Sequence, residues 1–161
     1  IFRRQAHEPG AKSVMGRTFE EGPEAAEAAL RFLAAQPATH RHLAVKLARH
    51  FVADDPPPAA IRAIEAALRD SDGDLGAAAR ALLLLDAAWE PPLGKLRTPG
   101  DYVLALCRAT ALPEDRPEVA LNGMAALGQP LWTAPQPIGW PDHGEAWAAP
   151  EAIMRRVDWA H

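Results

Sequence analysis

The sequence has few of the residues that form covalent or nucleophilic sites. Its one cysteine, Cys107, excludes an intrachain disulfide, and its apolar neighbours in VLALCRA predict a buried thiol. Serine occurs only at Ser13 and Ser71, and neither lies in the G-x-S-x-G turn that presents a hydrolase nucleophile. A serine-nucleophile site and a disulfide-stabilised scaffold therefore have no support in this chain.

An excess of positive charge and long apolar runs are also lacking. The chain has 17 Lys and Arg residues and 21 Asp and Glu residues, so its net charge is −4. A duplex-DNA binder usually has an excess of basic residues. The longest purely aliphatic run, Leu82 to Leu85, is far shorter than the roughly 20 residues that span a bilayer. We expect neither nucleic-acid binding nor membrane insertion. The compartment stays open between cytoplasm and periplasm, because any export signal would lie upstream of this chain.

Phosphate-binding and metal-binding motifs are missing as well. The chain has no G-x-x-x-x-G-K-[ST] loop, no G-x-G-x-x-G fingerprint, and neither a C-x-x-C nor an H-E-x-x-H arrangement. DSDGDLGAAARA, from Asp70, resembles a calcium loop, but loop positions 6 and 12 hold Leu75 and Ala81 instead of Gly and Glu. We interpret Gly73 as a helix end and Asp74 as the N-cap of the next helix. No cofactor and no metal site are expected.

The chain is 48% hydrophobic but only 6% aromatic, and it is rich in helix-forming residues and contains 16 prolines. Proline fits the first turn of a helix, and six of seven helical segments begin near one. The predicted fold is a single all-α domain, an irregular bundle of about seven helices. The predicted helices cover residues 23–35, 37–53, 57–69, 75–89 and 116–127, with two more beginning at Pro99, capped by Thr98, and at Pro150. Because Leu82–Leu85 cover most of its circumference, we expect the fourth helix to be central.

Residues 1–22 are interpreted as an extended lead-in. They open without a methionine or a helix start, so we expect the chain to be a fragment of a longer polypeptide. The best strand candidate in the chain is Ser13–Phe19, although its alternation is weak. His7 precedes Glu8 in this region, and a histidine beside a carboxylate is a candidate general base.

The second predicted helix carries a basic face. His42, Lys46 and Arg49 follow one another at i, i+4 and i+7, which places them on one side of a helix. Such a face is usually the solvated side of an amphipathic helix. The alternative is a contact surface for an anionic partner.

Residues 128–149, here called the strap, are rich in proline and tryptophan. Three of the five tryptophans of the chain lie here: Trp132, Trp140 and Trp147. So long a segment without regular structure is functional or disordered in most domains, and three tryptophans argue against disorder. We expect the strap to wrap the bundle and fill gaps in an alanine-rich core. The alternative is a ligand groove in which the tryptophans are joined by polar contacts from residues 142, 143 and 145.

Several blocks of the sequence resemble one family, family 1800 of the bacterial domains of unknown function. They are HEPGAKSVMGRTF (7–19), FLAAQPATHRHLAVKLARHFVADDPPP (32–58), DSDGDL (70–75), KLRTPGDYV (95–103), ALGQPLWTAPQPIGWPDHGEAW (126–147) and RRVDW (155–159). GQPLW and GWPD are the most specific. The resemblance implies a helix-rich module from the carboxy-terminal third of a longer protein, with a protein partner and a role at the cell envelope. It carries over no catalytic residue, and it favours Asp142, inside GWPD, over His143 as a site residue.

Three functions follow as hypotheses. The leading one is a non-enzymatic interaction or scaffold module. The second is a cell-envelope hydrolase whose site is completed upstream, with His7, Asp142 and His143 as catalytic candidates. The third is a module that binds carbohydrate or peptide on the strap through Trp132, Trp140, Trp147 and Glu145.

Overall fold

The computed structural model describes residues 4–90, 94–113 and 115–161, and this part of the chain is mostly helical. Its α-helices are α1 (Pro23–Ala34), α2 (Pro37–Phe51), α3 (Pro58–Asp70), α4 (Leu75–Leu83), α5 (Pro99–Ala109), α6 (Pro117–Ala126) and α7 (Pro150–Ala160). Three short 3₁₀ turns cover Arg4–Ala6, Asp86–Ala88 and Gly144–Trp147. The prediction of an all-α fold with about seven helices is confirmed.

Proline and side-chain caps mark the helix starts. Every helix except α4 begins with a proline. Helix α4 begins after Asp74, whose carboxylate accepts a hydrogen bond from the N–H of Gly76 at 2.7 Å. The hydroxyl of Thr98 accepts from the N–H of Asp101 at the start of α5. The interpretation of DSDGDL as a turn between two helices is therefore confirmed, with Gly73 at φ +87°.

The predicted strand at residues 13–19 is a β-hairpin. Strand β1 (Lys12–Val14) pairs antiparallel with β2 (Arg17–Phe19), and Lys12 lies opposite Phe19. Met15 and Gly16 form the two-residue turn with φ of 50° and 78°, the positive values that a tight hairpin turn requires. Phe19 is buried and its ring lies 5.9 Å from that of Phe32 in α1. Residues 1–3 of the predicted lead-in lie outside the described residues.

The chain divides into two compact units. The first unit comprises residues 1–45 and 58–85, and the second comprises residues 46–57 and 86–161. In the first unit, α3 packs on α4, and the two helices bury Ile64, Leu68, Ala78 and Leu82. The single-domain organisation stays a prediction.

Helix α4 does not have the central position that its leucines predict. It ends at Leu83 instead of continuing to Trp89, and a 3₁₀ turn follows at Asp86–Ala88. Leu82 is only 8% exposed, whereas Leu83 and Leu84 are 61% and 83% exposed. Successive helical residues are about 100° apart, so one neighbouring helix buries only the positions that face it. Helix α3 buries one side of α4 and leaves the other side exposed.

The second unit has its own apolar core. Buried Val103 of α5 packs with Met124 and Leu127 at the end of α6. Four half-buried side chains pack against this cluster: Tyr102, Cys107, Ala120 and Trp159. Cys107 is therefore only partly buried. No helix in the described ranges has the length and apolar character to cross a bilayer.

The strap begins where α6 ends. Gly128 has φ +86°, and the N–H groups of Gly128 and Gln129 bond back to the carbonyls of Ala125 and Met124. This is the Schellman arrangement, in which a left-handed residue ends a helix. The Gln129 side chain then accepts a 2.7 Å hydrogen bond from the N–H of Gly100 at the start of α5. The start of the strap is thereby fastened to two helices of the second unit.

Candidate functional site

The three tryptophans of the strap have three different environments. Trp147 is buried, and its indole N–H donates to the carbonyl of Pro141 at 3.0 Å. Trp140 is half-buried, with its ring 6.1 Å from that of Trp147. Trp132 is 92% exposed. The far end of the strap is thus fastened by Trp147, whereas Trp132 fills no gap in the core.

A group of charged side chains holds the strap against the end of α2. Lys46 Nζ donates to Asp142 Oδ2, and His50 Nδ1 lies 3.3 Å from Asp142 Oδ1. Lys95 Nζ donates both to Asp54 Oδ1 and to the backbone carbonyl of Asp142. We call these five residues the ionic cluster. All of them belong to the second unit.

The ionic cluster also fixes the 3₁₀ turn of the strap. Asp54 Oδ2 accepts a 2.7 Å hydrogen bond from the N–H of Gly144, the first residue of that turn. A β-carbon at Gly144 would come within 3.0 Å of Asp54 Oδ2 and of the Leu96 side chain. A side chain at this position would therefore require Asp54 or Leu96 to move by a few tenths of an ångström. Glycine at this position lets the turn approach Asp54 and Leu96 without such a shift.

Both carboxyl groups of the ionic cluster are stabilised in the charged form. Burial opposes ionisation of Asp142, but hydrogen bonds from Lys46 and His50 and the charge of Lys46 outweigh it and lower the pKa of Asp142. Burial likewise opposes ionisation of Asp54. Hydrogen bonds from Lys95 and from a backbone N–H, together with nearby positive charge, outweigh it and lower the pKa of Asp54.

Asp142→Asn is expected to destabilise the protein in a pH-dependent way. Because the folded-state pKa of Asp142 is lowered, its contribution is fully present above the unfolded-state pKa of about 3.9 and is lost as the pH falls through the folded value. Urea unfolding at pH 7 should show a loss of about 1 to 2 kcal/mol, allowing for the partly exposed lysine partner. The difference from the native protein should shrink between about pH 5 and pH 3.

The matched control for this change is Asp158→Asn, which alters an exposed carboxylate on α7. It should leave the unfolding free energy within about 0.5 kcal/mol of the native value at every pH. A loss for Asp142→Asn that stays constant from pH 7 to pH 3 would contradict the assignment of the ion pair.

Two grooves open beside the strap in the second unit. The first has a volume of about 550 Å³. Aromatic, proline and amide side chains line it, among them Trp132, Trp140, Pro130, Pro137, Gln129 and Gln136. The second groove has a volume of about 470 Å³. Its lining combines cationic and apolar side chains, among them Lys46, Arg49, His143, Ile138, Trp140 and Trp147.

The predicted site residues are divided between the two units. Asp142 lines both grooves, and exposed His143 lines the second. Glu145 is exposed within the 3₁₀ turn. His7 is half-buried and belongs to the first unit, whereas Asp142 belongs to the second. The hydrolase hypothesis that combines His7 with Asp142 and His143 stays a prediction.

Asp54 and Lys95 were missed as site residues by the sequence analysis. In the sequence, both residues stand out only as members of the family blocks at 32–58 and 95–103. No spacing rule connects them to the strap, because Lys95 and Asp142 are 47 positions apart. The i, i+4, i+7 pattern did identify Lys46 and Arg49, which prove half-buried beside the second groove. Within the described ranges, no three His, Cys, Asp or Glu side chains are grouped so that they could hold a metal ion.

Comparisons with known proteins identify the family but no characterised relative. Searches of the curated proteins and of the solved structures found no match. One family model matches over residues 1–161, the full length given. The chain therefore belongs to the family described as "Protein of unknown function (DUF1800)".

Proposed function

We propose that this chain is a non-enzymatic interaction module that binds an extended peptide segment of a partner protein in the first groove. The observation that carries the proposal is the state of Trp132. It combines an almost fully exposed indole with a left-handed backbone, at φ 63°. A non-glycine residue in this conformation costs about 1 to 2 kcal/mol. The exposed indole buries little apolar surface to offset this cost, and backbone outliers of this kind cluster at functional sites.

The lining of the first groove suits a peptide. Trp132 and Trp140 provide indole surface beside three prolines, as in grooves that recognise extended, proline-rich segments. Within the described ranges, neither indole N–H has a hydrogen-bond partner, unlike that of Trp147. A peptide offers a backbone carbonyl at every residue, so it can satisfy both donors. Two amide side chains, Gln129 and Gln136, add further hydrogen-bonding groups.

Trp132→Gly is expected to abolish peptide binding while slightly stabilising the fold. Glycine removes the left-handed penalty of about 1 to 2 kcal/mol, and the extra freedom of the unfolded chain offsets about 0.5 to 1 kcal/mol of this gain. The unfolding free energy should therefore rise by about 0.5 kcal/mol. Binding should weaken by at least about tenfold, as for a central aromatic contact. Urea unfolding measures the first effect, and titration with peptides selected from an array of proline-rich 12-residue peptides measures the second.

Trp89→Gly is the matched control, because Trp89 is 66% exposed in the same unit and does not line the first groove. It should leave peptide affinity unchanged. A glycan array probed in parallel tests the carbohydrate hypothesis. If Trp132-dependent binding is found for oligosaccharides and not for peptides, the peptide proposal is wrong and the ligand of the first groove is a carbohydrate. Equal peptide binding by the native protein and Trp132→Gly, or binding to neither array, would overturn the proposal.

A further inference from the structure

Arg49 is a cation whose partner is missing from the described part of the chain. Its side chain is half-buried on α2, and its Nε atom is fully buried without a hydrogen-bond acceptor. No carboxylate in that part of the chain forms an ion pair with it, whereas Lys46, one turn earlier, is paired with Asp142. A buried guanidinium nitrogen without an acceptor is costly, and such groups call for an explanation.

The surroundings of Arg49 form a groove with an excess of positive charge. Lys46 and Arg49 contribute two positive charges to the lining of the second groove, and Asp142 contributes its one negative charge. The formal charges of these three side chains sum to +1. Both oxygens of Asp142 are already bound, one by Lys46 and one by His50. No hydrogen bond or ion pair joins Asp142 to Arg49 in the described part of the chain.

The rest of the second groove is apolar. Ile138, Trp140 and buried Trp147 line it together with two prolines, Pro135 and Pro141. A ligand that fits this lining has an anionic group for Arg49 and an apolar body attached directly to it. A guanidinium binds a carboxylate through two parallel hydrogen bonds, which gives this pairing both energy and geometric selectivity.

We infer that the second groove binds a carboxylate carried by an apolar residue, namely the C-terminus of a peptide. The assignment of the carboxylate to a peptide terminus rests on the proposed function. A C-terminal residue carries its side chain and its carboxylate on the same carbon atom, so both can enter one small groove. The two grooves share Gln136 and residues 139–142, so they are neighbours along the strap. The terminus of the peptide is held by Arg49, and its preceding residues lie along the tryptophans of the first groove.

The test uses two probes that differ only in the terminal group, N-acetyl-L-leucine with a carboxylate and N-acetyl-L-leucinamide with a neutral amide. Both are titrated calorimetrically into the full chain at neutral pH and low salt. The acid should bind at least about tenfold more tightly than the amide. Arg49→Met should weaken binding of the acid by about tenfold and leave that of the amide unchanged. Arg49→Lys, which keeps the charge but loses the planar fork, should give an intermediate affinity. The acid should also bind less tightly as the salt concentration rises.

Arg155→Met is the matched control, because Arg155 is an exposed arginine of the same unit that does not line the second groove. It should bind the acid as the native protein does. Equal binding of acid and amide, no binding of either, or an acid affinity that is unchanged in Arg49→Met would overturn the inference. Inorganic phosphate is titrated as a third probe. If it binds more tightly than the acid, and only when Arg49 is present, the carboxylate assignment is wrong and the group bound by Arg49 is a phosphate.

Failure of this inference is distinguishable from failure of the proposed function. Trp132 does not line the second groove, so Trp132→Gly should bind the acid normally. Arg49-dependent binding of the acid without any Trp132-dependent peptide binding would overturn only the peptide function. Trp132-dependent peptide binding that is the same for free and amidated C-termini would overturn only the carboxylate site.

Discussion

Gly123→Ala is expected to lower the free energy of unfolding by about 2 kcal/mol. Gly123 is buried on α6, and a β-carbon placed there would overlap the indole of Trp159 on α7. Inserting a carbon into a filled core typically costs about 1 to 3 kcal/mol, and here the overlapped atoms belong to a rigid ring. The higher helix propensity of alanine offsets up to about 1 kcal/mol of this cost. Urea unfolding monitored by circular dichroism measures the net effect.

A double-mutant cycle separates the overlap from other effects of the substitution. In a Trp159→Ala background the overlap is gone, so Gly123→Ala should become neutral or stabilise the protein by up to about 1 kcal/mol. The coupling between the two positions should therefore reach at least about 2 kcal/mol. An equal loss of stability in both backgrounds would show that the space over Gly123 is not filled by Trp159.

Arg156→Met is expected to lower the free energy of unfolding by about 2 to 3 kcal/mol. Arg156 is only 6% exposed, and its guanidinium donates to the carbonyl of Arg97 at 2.9 Å and to that of Trp147 at 3.4 Å. It also lies 5.6 Å from the centre of the Tyr102 ring. Loss of the charged donor leaves carbonyl groups without partners, which costs about 1 to 3 kcal/mol each when they are buried. Burial disfavours the charged guanidinium and lowers the pKa of Arg156. Removing this buried charge therefore offsets part of the expected loss in the free energy of unfolding.

Arg155 provides the matched control, because it neighbours Arg156 in the sequence but is exposed. Arg155→Met should change the unfolding free energy by less than about 0.5 kcal/mol. Arg156→Lys should recover only part of the stability, since an ammonium group cannot reproduce the planar fork. Equal effects of Arg155→Met and Arg156→Met would contradict the role of Arg156 in fastening the strap to α7.

The starts of the helices could be predicted because the forces that set them are local. Proline at a first turn, Asp74 and Thr98 as caps, and Gly128 in the left-handed region all act within a few residues along the chain. The predicted starts of α1, α2, α5 and α7 agree with the structure, and α3 and α6 differ by one residue. The hairpin at residues 12–19 was only partly predicted. Its strands are three residues long, which is too short for a clear alternation.

The leucine run of α4 and the tryptophans of the strap show where local reasoning fails. Four consecutive leucines indicate a helix that is apolar all round, yet burial depends on how many neighbours surround it. The strap presents the same problem, because Trp132 and Trp147 lie in one proline-rich segment but differ completely in exposure. Composition could identify the strap as a special segment but could not rank its tryptophans.

The sequence by itself determined the helices, the turns between them and the family, since each depends on residues that are close in the chain or on blocks in a fixed order. Only the tertiary structure decided the ionic cluster and the two grooves. Lys46 and Asp142 are 96 positions apart, and Asp54 and Gly144 are 90 positions apart. Whether such distant residues meet depends on the path of every element between them. For the same reason, only the structure shows that Arg49 faces an apolar groove and has no partner within the described residues.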